Sequence, residues 1–452
     1  MGVFQIVIAY IKLRVPGHSN VTQWPPVQAP GWLVGITIGN HKVGTSLSTT
    51  VPETAIQSAP AKTRPDRLDS IDMVRGLVMV IMALDHVRDF WSDRFFREDP
   101  TDLTKTTAAI FLTRWITHYC APTFIFLAGT GAFLSGTRGK AKPELSWFLF
   151  TRGLWLAFFE VVINRMMWMF NFDFYHHGAG VFWAIGWSMV VLSVLVYLPT
   201  SIVTAFGVVM IAFHNILDGF TARMVHLPGW LWMILHSPGD EPLIGPFTFG
   251  TGYCLIPWMG VMAAGYGFGT ILLKDRATRR REMVELGVAL ILVFIIMRAI
   301  NIYGDPRPWS RQPTLLFTVL SFLNCTKYPP SLLYLLMTLG PAIVMLGLFD
   351  RPLGDWAKPI ITFGRVPLFF YLLHIPLIHG GVVLCDYIRF GWSPMSTDGP
   401  WAVKPDQVAA NYGISLPMVY LVWICVVLIL YPPCRWFAGV KRRRRDGWLS
   451  YF

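Results

Sequence analysis

One apolar segment near the start of the chain carries side chains that could transfer protons. Residues 73–91 read MVRGLVMVIMALDHVRDFW and contain Arg75, Asp85 and His86. A charged group deep in a membrane span costs roughly 2.5 to 3.5 kcal/mol to insert and generally faces a cavity or a charged partner. We therefore expect a functional role for Asp85 and His86. Taken alone, Arg75 is better explained as an interfacial cation that reaches the lipid headgroups.

The spacing of these residues suggests two ends of one site. Arg75 and His86 stand at positions i and i+11, which in an α-helix is about three turns and about 16 Å of rise. Both side chains therefore lie on one face at different depths. We expect Arg75 near the cytoplasmic end of this helix and His86 towards the opposite side of the membrane.

The second apolar segment adds another histidine. Residues 117–136 read THYCAPTFIFLAGTGAFLSG, so His118 enters the membrane at about the depth where His86 leaves it. The small residues Gly129 and Gly131 would let another helix approach closely. His118 alone could also be an ordinary core histidine, but with Asp85 and His86 at the same level it becomes a candidate for the site.

Three weaker candidates lie further along the chain. Lys327 and Tyr328 are predicted to open the eighth span beside two prolines, where a helix N-terminus could bind an oxyanion or an acidic sugar. An interfacial lysine is the alternative. His374 is expected inside the bundle, whereas His379, beyond the kink of Pro376, is not clearly inside.

The composition indicates what must position these residues. The chain has 452 residues, of which 54% are hydrophobic and 14% charged, and it contains 19 Trp. Such a balance is typical of a polytopic membrane protein. The net charge of +12 comes largely from runs at 138–142, 274–281 and 441–445. Runs of this kind mark cytoplasmic loops beside anionic lipid headgroups, and we expect no nucleic-acid partner.

Hydropathy and length predict an all-α membrane bundle of about ten transmembrane helices with both termini in the cytoplasm. The chain would be a multi-pass protein of the cytoplasmic membrane. The segment at 314–323 is too short to cross and is expected to lie in the outer leaflet or to re-enter before the eighth span. The predicted spans are 71–91, 109–135, 147–165, 180–198, 200–217, 251–273, 283–303, 328–349, 359–385 and 414–434.

Composition and charge along the chain divide it into three parts. Residues 1–66 are rich in Pro, Ser, Thr and Gly and are predicted to be a flexible cytoplasmic leader. Residues 67–440 would form the membrane domain and residues 441–452 a basic cytoplasmic tail. Two adjacent loop histidines such as His176 and His177 are not by themselves a metal site, so no metal site is predicted.

Two motifs carry a family resemblance. RLDSIDMVRGLVMVIMALDH at 67–86 and APTFIFLAGTGAFL at 121–134 closely resemble the bacterial relatives of heparan-alpha-glucosaminide N-acetyltransferase. Arg75 followed eleven positions later by His86 is more distantly similar to the first-span motif of integral-membrane O-acyltransferases that decorate envelope polysaccharides. Further family-like stretches lie at 254–269, 326–341 and 363–379.

The resemblance implies an enzyme that takes an acyl group, acetyl or longer, from cytoplasmic acyl-CoA and delivers it across the membrane. The acceptor would be a hydroxyl or amine of an extracytoplasmic glycan or glycolipid. His86 would be the general base, with Asp85 or His118 orienting it or sharing its proton. Arg75 would bind the CoA, and no metal would be needed.

One departure from the family pattern leaves the base open. The resemblance implies that the animal enzyme of this family carries its catalytic histidine in the loop between spans one and two. That loop here, residues 92–108, contains no histidine. The base is therefore His86 or His118, and the sequence does not decide between them.

Two other classes of protein use intramembrane histidines. In a haem-binding redox protein, His86, His118 and His374 could be axial ligands, although Arg75 would then have no role. In a proton-coupled transporter, the same residues would relay protons. Release of free CoA from acetyl-CoA separates the enzyme from the transporter, and a Soret band would reveal haem.

Overall fold

The computed structural model of the chain describes residues 68–444 and Leu449. The predicted leader at 1–66 and most of the predicted tail lie outside the described residues. The α-helices are α1 Asp69–Trp91, α2 Ala108–Ile116, α3 Cys120–Thr137, α4 Lys142–Phe158, α5 Arg165–Met169, α6 Val181–Leu195, α7 Thr200–Phe213, α8 Gly229–Leu235, α9 Leu255–Phe268, α10 Arg276–Ile300, α11 Leu315–Leu323, α12 Leu332–Phe349, α13 Lys358–Arg365, α14 Pro367–Phe390 and α15 Leu416–Arg443.

Some consecutive helices are joined by short helical turns and form longer continuous segments. The 3₁₀ turn Thr117–Tyr119 connects α2 to α3, and the π-helical turn Phe159–Asn164 connects α4 to α5. By length and composition, eight helical segments of the described chain can cross a membrane. The protein is therefore a multi-pass helical bundle. The eight segments are Ala108–Thr137, Lys142–Met169, Thr200–Gly219, Leu255–Leu273, Arg276–Ile300, Leu332–Phe349, Pro367–Phe390 and Leu416–Arg443.

The two remaining predicted spans, 71–91 and 180–198, also coincide with helices. Helix α1 contains six Asp and Arg residues, and α6 has only 15 residues, so neither is among the eight long apolar helices. The all-α prediction is confirmed. The predicted segment at 314–323 is the nine-residue helix α11, which is too short to cross.

Two predicted boundaries were wrong for a local reason. The span predicted at 359–385 is two helices, α13 and α14, which separate at Val366. Val366 precedes Pro367 and leaves the helical region because a proline disfavours helical geometry in the residue before it. The predicted span at 328–349 begins only at Leu332, where the Ser331 side chain accepts a hydrogen bond from the Tyr334 amide.

A small sheet, which the sequence did not predict, lies outside the helices. Its strands are β1 His176–Ala179, β2 Gly239–Ile244 and β3 Phe247–Thr251, in the order β1-β3-β2. Strand β1 runs parallel to β3, and β2 pairs antiparallel with it. Residues of all three strands line the cavity that contains His86.

Helix α1 lies in the middle of the bundle. Its first turns join one buried cluster with α3, α9 and α12, and its later turns join a second cluster with α14 and α15. Backbones meet closely at glycines: a Cβ on Gly129 would overlap Met262 of α9, and a Cβ on Gly76 would overlap Ile360 of α13. The close approach predicted for Gly129 is therefore confirmed, whereas Gly131 has no such neighbour.

Candidate functional site

Two histidines from different helices form a direct contact at the centre of the bundle. The Nδ1 of His86, on α1, lies 2.7 Å from the Nε2 of His374, on α14, and the two rings meet edge to edge with their planes inclined by 25°. The Nδ1 of His374 lies 2.8 Å from the carbonyl oxygen of Tyr371. His374 is fully buried, as the sequence predicted, and so is His379, for which that was not expected.

His86 borders an open cavity of about 580 Å³, here called the histidine cavity. The rings of Trp168 and Tyr371 lie roughly perpendicular to the His86 ring, with centroids 5.1 and 6.0 Å from its own. The cavity lining also includes Asp85, Asp89, Arg114, Glu160, Asn164, Arg165, Lys327, Tyr328 and Trp401. His86 therefore lies where a small substrate could reach its ring.

Asp85 belongs to a buried network of ion pairs. Its Oδ2 accepts a 2.6 Å hydrogen bond from Arg114, and its Oδ1 lies 2.9 Å from Arg88. Arg88 in turn bonds Asp89 at 2.6 Å. Two carboxylates and two guanidinium groups compensate one another, as buried charges require. Among the described contacts, Asp85 makes no hydrogen bond to His86.

His118 lies on the other side of this network, in a cavity of about 620 Å³ that we call the polar groove. The groove is also lined by Arg88, Arg97, Arg114, Arg307, Lys327, Tyr328 and Trp401. The His118 side chain is buried, and its Nδ1 has no hydrogen-bond partner among the described residues. The structure thus separates His118 from His86 and places the two in neighbouring cavities.

Lys327 and Tyr328 stand in the wall between the two cavities and line both. The Lys327 ammonium lies 5.1 Å from the centre of the Tyr328 ring. Partial burial raises the pKa of the Tyr328 phenol, but the cations of Lys327 and Arg114 outweigh this effect and hold the pKa below its usual value. Both residues precede α12 rather than beginning it.

Arg75 lies at the other end of α1, in a third cavity of about 390 Å³. We call it the basic cavity because five cations line it: Arg75, Arg138, Arg152, Arg365 and Lys441. The described lining contains no carboxylate, although Asp72 stands behind Arg75 at 3.4 Å. The Arg75 guanidinium also donates a 3.3 Å hydrogen bond to the carbonyl oxygen of Gly364.

The basic cavity and the histidine cavity lie next to each other. Val181 and Tyr371 line both. The Tyr371 hydroxyl donates to the Asn164 side-chain oxygen at 2.8 Å and accepts from the Trp168 indole at 3.1 Å. Asn164 in turn donates to Glu160 at 2.8 Å. These bonds hold the Tyr371 ring at the junction of the two cavities.

Some residues of the site were predicted from the sequence, and others were not. Arg114 and Glu160 escaped notice, although each is a charged residue inside an apolar span, the same signal that identified Asp85. Tyr371 and Trp168 gave no such signal, because aromatic residues are common throughout this chain. Arg138 and Lys441 had been interpreted only as headgroup contacts.

Comparison with known protein families identifies the family of this chain. The family model described as heparan-alpha-glucosaminide N-acetyltransferase, catalytic, matches residues 67–304, which is just over half of the 452 residues. The match includes Arg75, Asp85, His86 and His118, while Lys327, Tyr328 and His374 lie beyond its end. A search of curated proteins returned no match. The chain therefore belongs to the heparan-alpha-glucosaminide N-acetyltransferase family, a family of transmembrane acetyltransferases.

Proposed function

We propose that the protein transfers an acyl group, most simply acetyl, from acyl-CoA in the basic cavity to a hydroxyl or amine in the histidine cavity. The acceptor would be a glycan or glycolipid on the outer side of the cytoplasmic membrane. The observation that supports this proposal is the pair of adjacent cavities, one lined by five cations and one containing His86, which share Val181 and Tyr371 in their linings.

The basic cavity suits the donor. CoA carries a diphosphate and a ribose phosphate, and arginine side chains bind phosphate oxygens through charge-assisted hydrogen bonds. Arg138 and Lys441 belong to the basic runs that the positive-inside rule assigns to the cytoplasm. The cavity would therefore open to the compartment that supplies acyl-CoA.

The boundary that the two cavities share at Val181 and Tyr371 would be the route of the acyl group to the base. Along α1, Arg75 and His86 are separated by about 16 Å, a distance comparable to the pantetheine arm of CoA. With the phosphates among the cations, the arm would pass Val181 and Tyr371 and present the thioester in the histidine cavity. The bulky nucleotide would stay behind.

The chemistry is a single acyl transfer. His86 takes the proton from the acceptor hydroxyl or amine, and the freed electron pair attacks the thioester carbonyl carbon. The carbon–sulfur bond then breaks, and the CoA thiolate receives the proton from His86. Lys327 and Tyr328, in the wall of the same cavity, would stabilise the negative charge on the carbonyl oxygen.

The other predicted residues take supporting roles. Asp85, bonded to Arg114 and Arg88, would fix the electrostatic environment of His86 rather than bond to its ring. His118 would contact the acceptor in the polar groove, where its Nδ1 has no described hydrogen-bond partner. Both roles differ from the orienting role that the sequence suggested.

Free CoA provides the first test. Purified protein in liposomes would be supplied with acetyl-CoA and glucosamine, an amine-bearing sugar used as a probe acceptor, and CoA release would be followed with a thiol reagent. The second test compares envelope glycans and lipids of cells with and without the protein by mass spectrometry. A mass difference of one acyl group is expected. If neither CoA release nor an acylated product appears, the better hypothesis is that the protein is a proton-coupled transporter.

A further inference from the structure

We propose that His374 is a positioning residue that fixes which nitrogen of His86 faces the histidine cavity. This inference rests on the proposed function, in which His86 is the base, and it names the residue that prepares the base. The evidence is the chain of contacts that runs from two backbone carbonyls through His374 to His86.

The first link determines where the hydrogen of His374 sits. The Nδ1 of His374 lies 2.8 Å from the carbonyl oxygen of Tyr371 and 3.2 Å from that of Phe370. A carbonyl oxygen can only accept a hydrogen bond. The hydrogen of His374 must therefore be on Nδ1.

The second link determines the role of the other nitrogen. His374 is fully buried, and its described polar partners are the two carbonyls and His86, none of which carries a negative charge. A positive charge there would be buried without a counter-charge, which is costly. His374 is therefore neutral, and its Nε2 accepts a hydrogen bond.

The third link reaches the site. His86 Nδ1 lies 2.7 Å from this acceptor, so Nδ1 of His86 must carry the hydrogen. The lone pair of His86 is then on Nε2, the nitrogen that does not bond His374. Of the two histidines, only His86 is among the described residues that line the histidine cavity. His374 therefore contacts the side of the His86 ring that faces away from the cavity.

This arrangement prepares a base that an isolated histidine would not provide. A free neutral imidazole places its hydrogen preferentially on Nε2, which would turn an N–H towards the substrate. The buried carboxylate of a Ser-His-Asp triad corrects this by accepting from Nδ1. Here a neutral histidine does so, and Asp85 remains engaged with its arginine partners.

Nitrogen NMR tests the tautomer without any substrate. In protein labelled with ¹⁵N-histidine and reconstituted in liposomes, the signals lost in His86→Gln identify His86. We expect Nδ1 of His86 to give a protonated, pyrrole-type signal and Nε2 an unprotonated, pyridine-type signal. The opposite assignment in the wild-type protein would overturn the proposal.

Two substitutions test the catalytic consequence. Glutamine at position 374 can offer a side-chain oxygen to His86 Nδ1, whereas leucine of similar size cannot. With acetyl-CoA and glucosamine, His374→Leu should lower kcat about tenfold to a hundredfold with little change in KM for acetyl-CoA. His374→Gln should recover most of this loss. Equal kcat values for the two variants, or a change confined to KM, would show that His374 does not position the base.

His379 supplies the matched control on the same helix. It is equally buried, but its ring nitrogens contact the carbonyls of Met167 and Met395 rather than His86. His379→Gln should lower the melting temperature and leave the His86 nitrogen signals unchanged. If this variant shifts those signals as strongly as His374→Leu, general loosening of the helix explains both, and the proposal fails. If the wild-type protein releases no CoA, the proposed function fails, while NMR still decides the tautomer.

Discussion

His86 and His118 occupy neighbouring cavities, so their substitutions should have different kinetic effects. His86→Gln removes the proposed base and should lower kcat about 10²- to 10⁴-fold while leaving acyl-CoA binding intact. His118→Gln should mainly raise KM for the acceptor, because His118 lines the polar groove. The measurement is CoA release at varied acetyl-CoA and glucosamine concentrations. An inactive His118→Gln beside an active His86→Gln would reverse the two roles.

Arg75 belongs to the donor end of the site, and its loss should weaken binding rather than chemistry. A charge-assisted hydrogen bond generally contributes about 1.5 to 3 kcal/mol, so Arg75→Ala should raise the Kd for acetyl-CoA about tenfold to a hundredfold. Isothermal titration calorimetry measures this directly. Arg276→Ala, at the start of α10 and outside the basic cavity, is the control and should bind normally. Unchanged binding in Arg75→Ala would make Arg75 an interfacial cation.

Tyr328 should report the positive field in the wall between the cavities. Its pKa is lowered because the cations of Lys327 and Arg114 outweigh partial burial, so the phenol ionises at a lower pH than an ordinary tyrosine. Lys327→Met removes one cation and should move this ionisation to higher pH. Ultraviolet absorbance of phenolate measures it, with Tyr328→Phe in each background isolating the signal. A shift to lower pH in Lys327→Met would contradict the charge argument.

At the scale of elements, the proposed passage between α14 and the start of α6 should select the acyl chain. Tyr371 is held there by Asn164 and Trp168. Tyr371→Ala should widen the junction and raise the rate with hexanoyl-CoA relative to acetyl-CoA. Tyr371→Phe keeps the ring and loses only the hydroxyl bonds, so it should retain the preference for acetyl. Identical chain-length preferences in wild type and Tyr371→Ala would show that the arm passes elsewhere.

Helix packing explains why these elements can form a site. Helix α1 brings Arg75 and His86 to two cavities because its other faces are occupied by α13, α14 and α15. The break at Val366 allows α13 to carry Arg365 to the basic cavity while α14 carries Tyr371 and His374 to the other. A continuous helix through 359–385 would not bring these residues to both cavities so readily.

For the whole molecule, the testable property is its orientation in the membrane. The basic runs at 138–142, 274–281 and 441–445 predict that both termini are cytoplasmic. A reporter enzyme active only outside the cytoplasm should therefore give no signal when fused to Phe452. The same reporter fused after Pro100, beyond the first span, should be active. A strong signal at Phe452 would place the basic cavity on the side that lacks acyl-CoA.

The sequence alone determined the class of the molecule and one helix of its site. Hydropathy over about 20 residues identifies membrane helices because the bilayer imposes that length, and charged residues inside such a run stand out because they are costly there. Arg75, Asp85 and His86 were found in this way. Their common helix fixes their spacing, so the separation along α1 also followed from sequence.

Tertiary structure decided which residues meet. His86 and His374 are 288 positions apart and lie on helices whose packing no local pattern specifies. The same holds for the five cations of the basic cavity, which come from α1, α4, α13, α15 and the Arg138 turn after α3. Hydropathy fixes the depth of each helix in the membrane, but only side-chain packing between helices fixes their neighbours and rotations. For that reason the partner of His86 was visible only in the folded bundle.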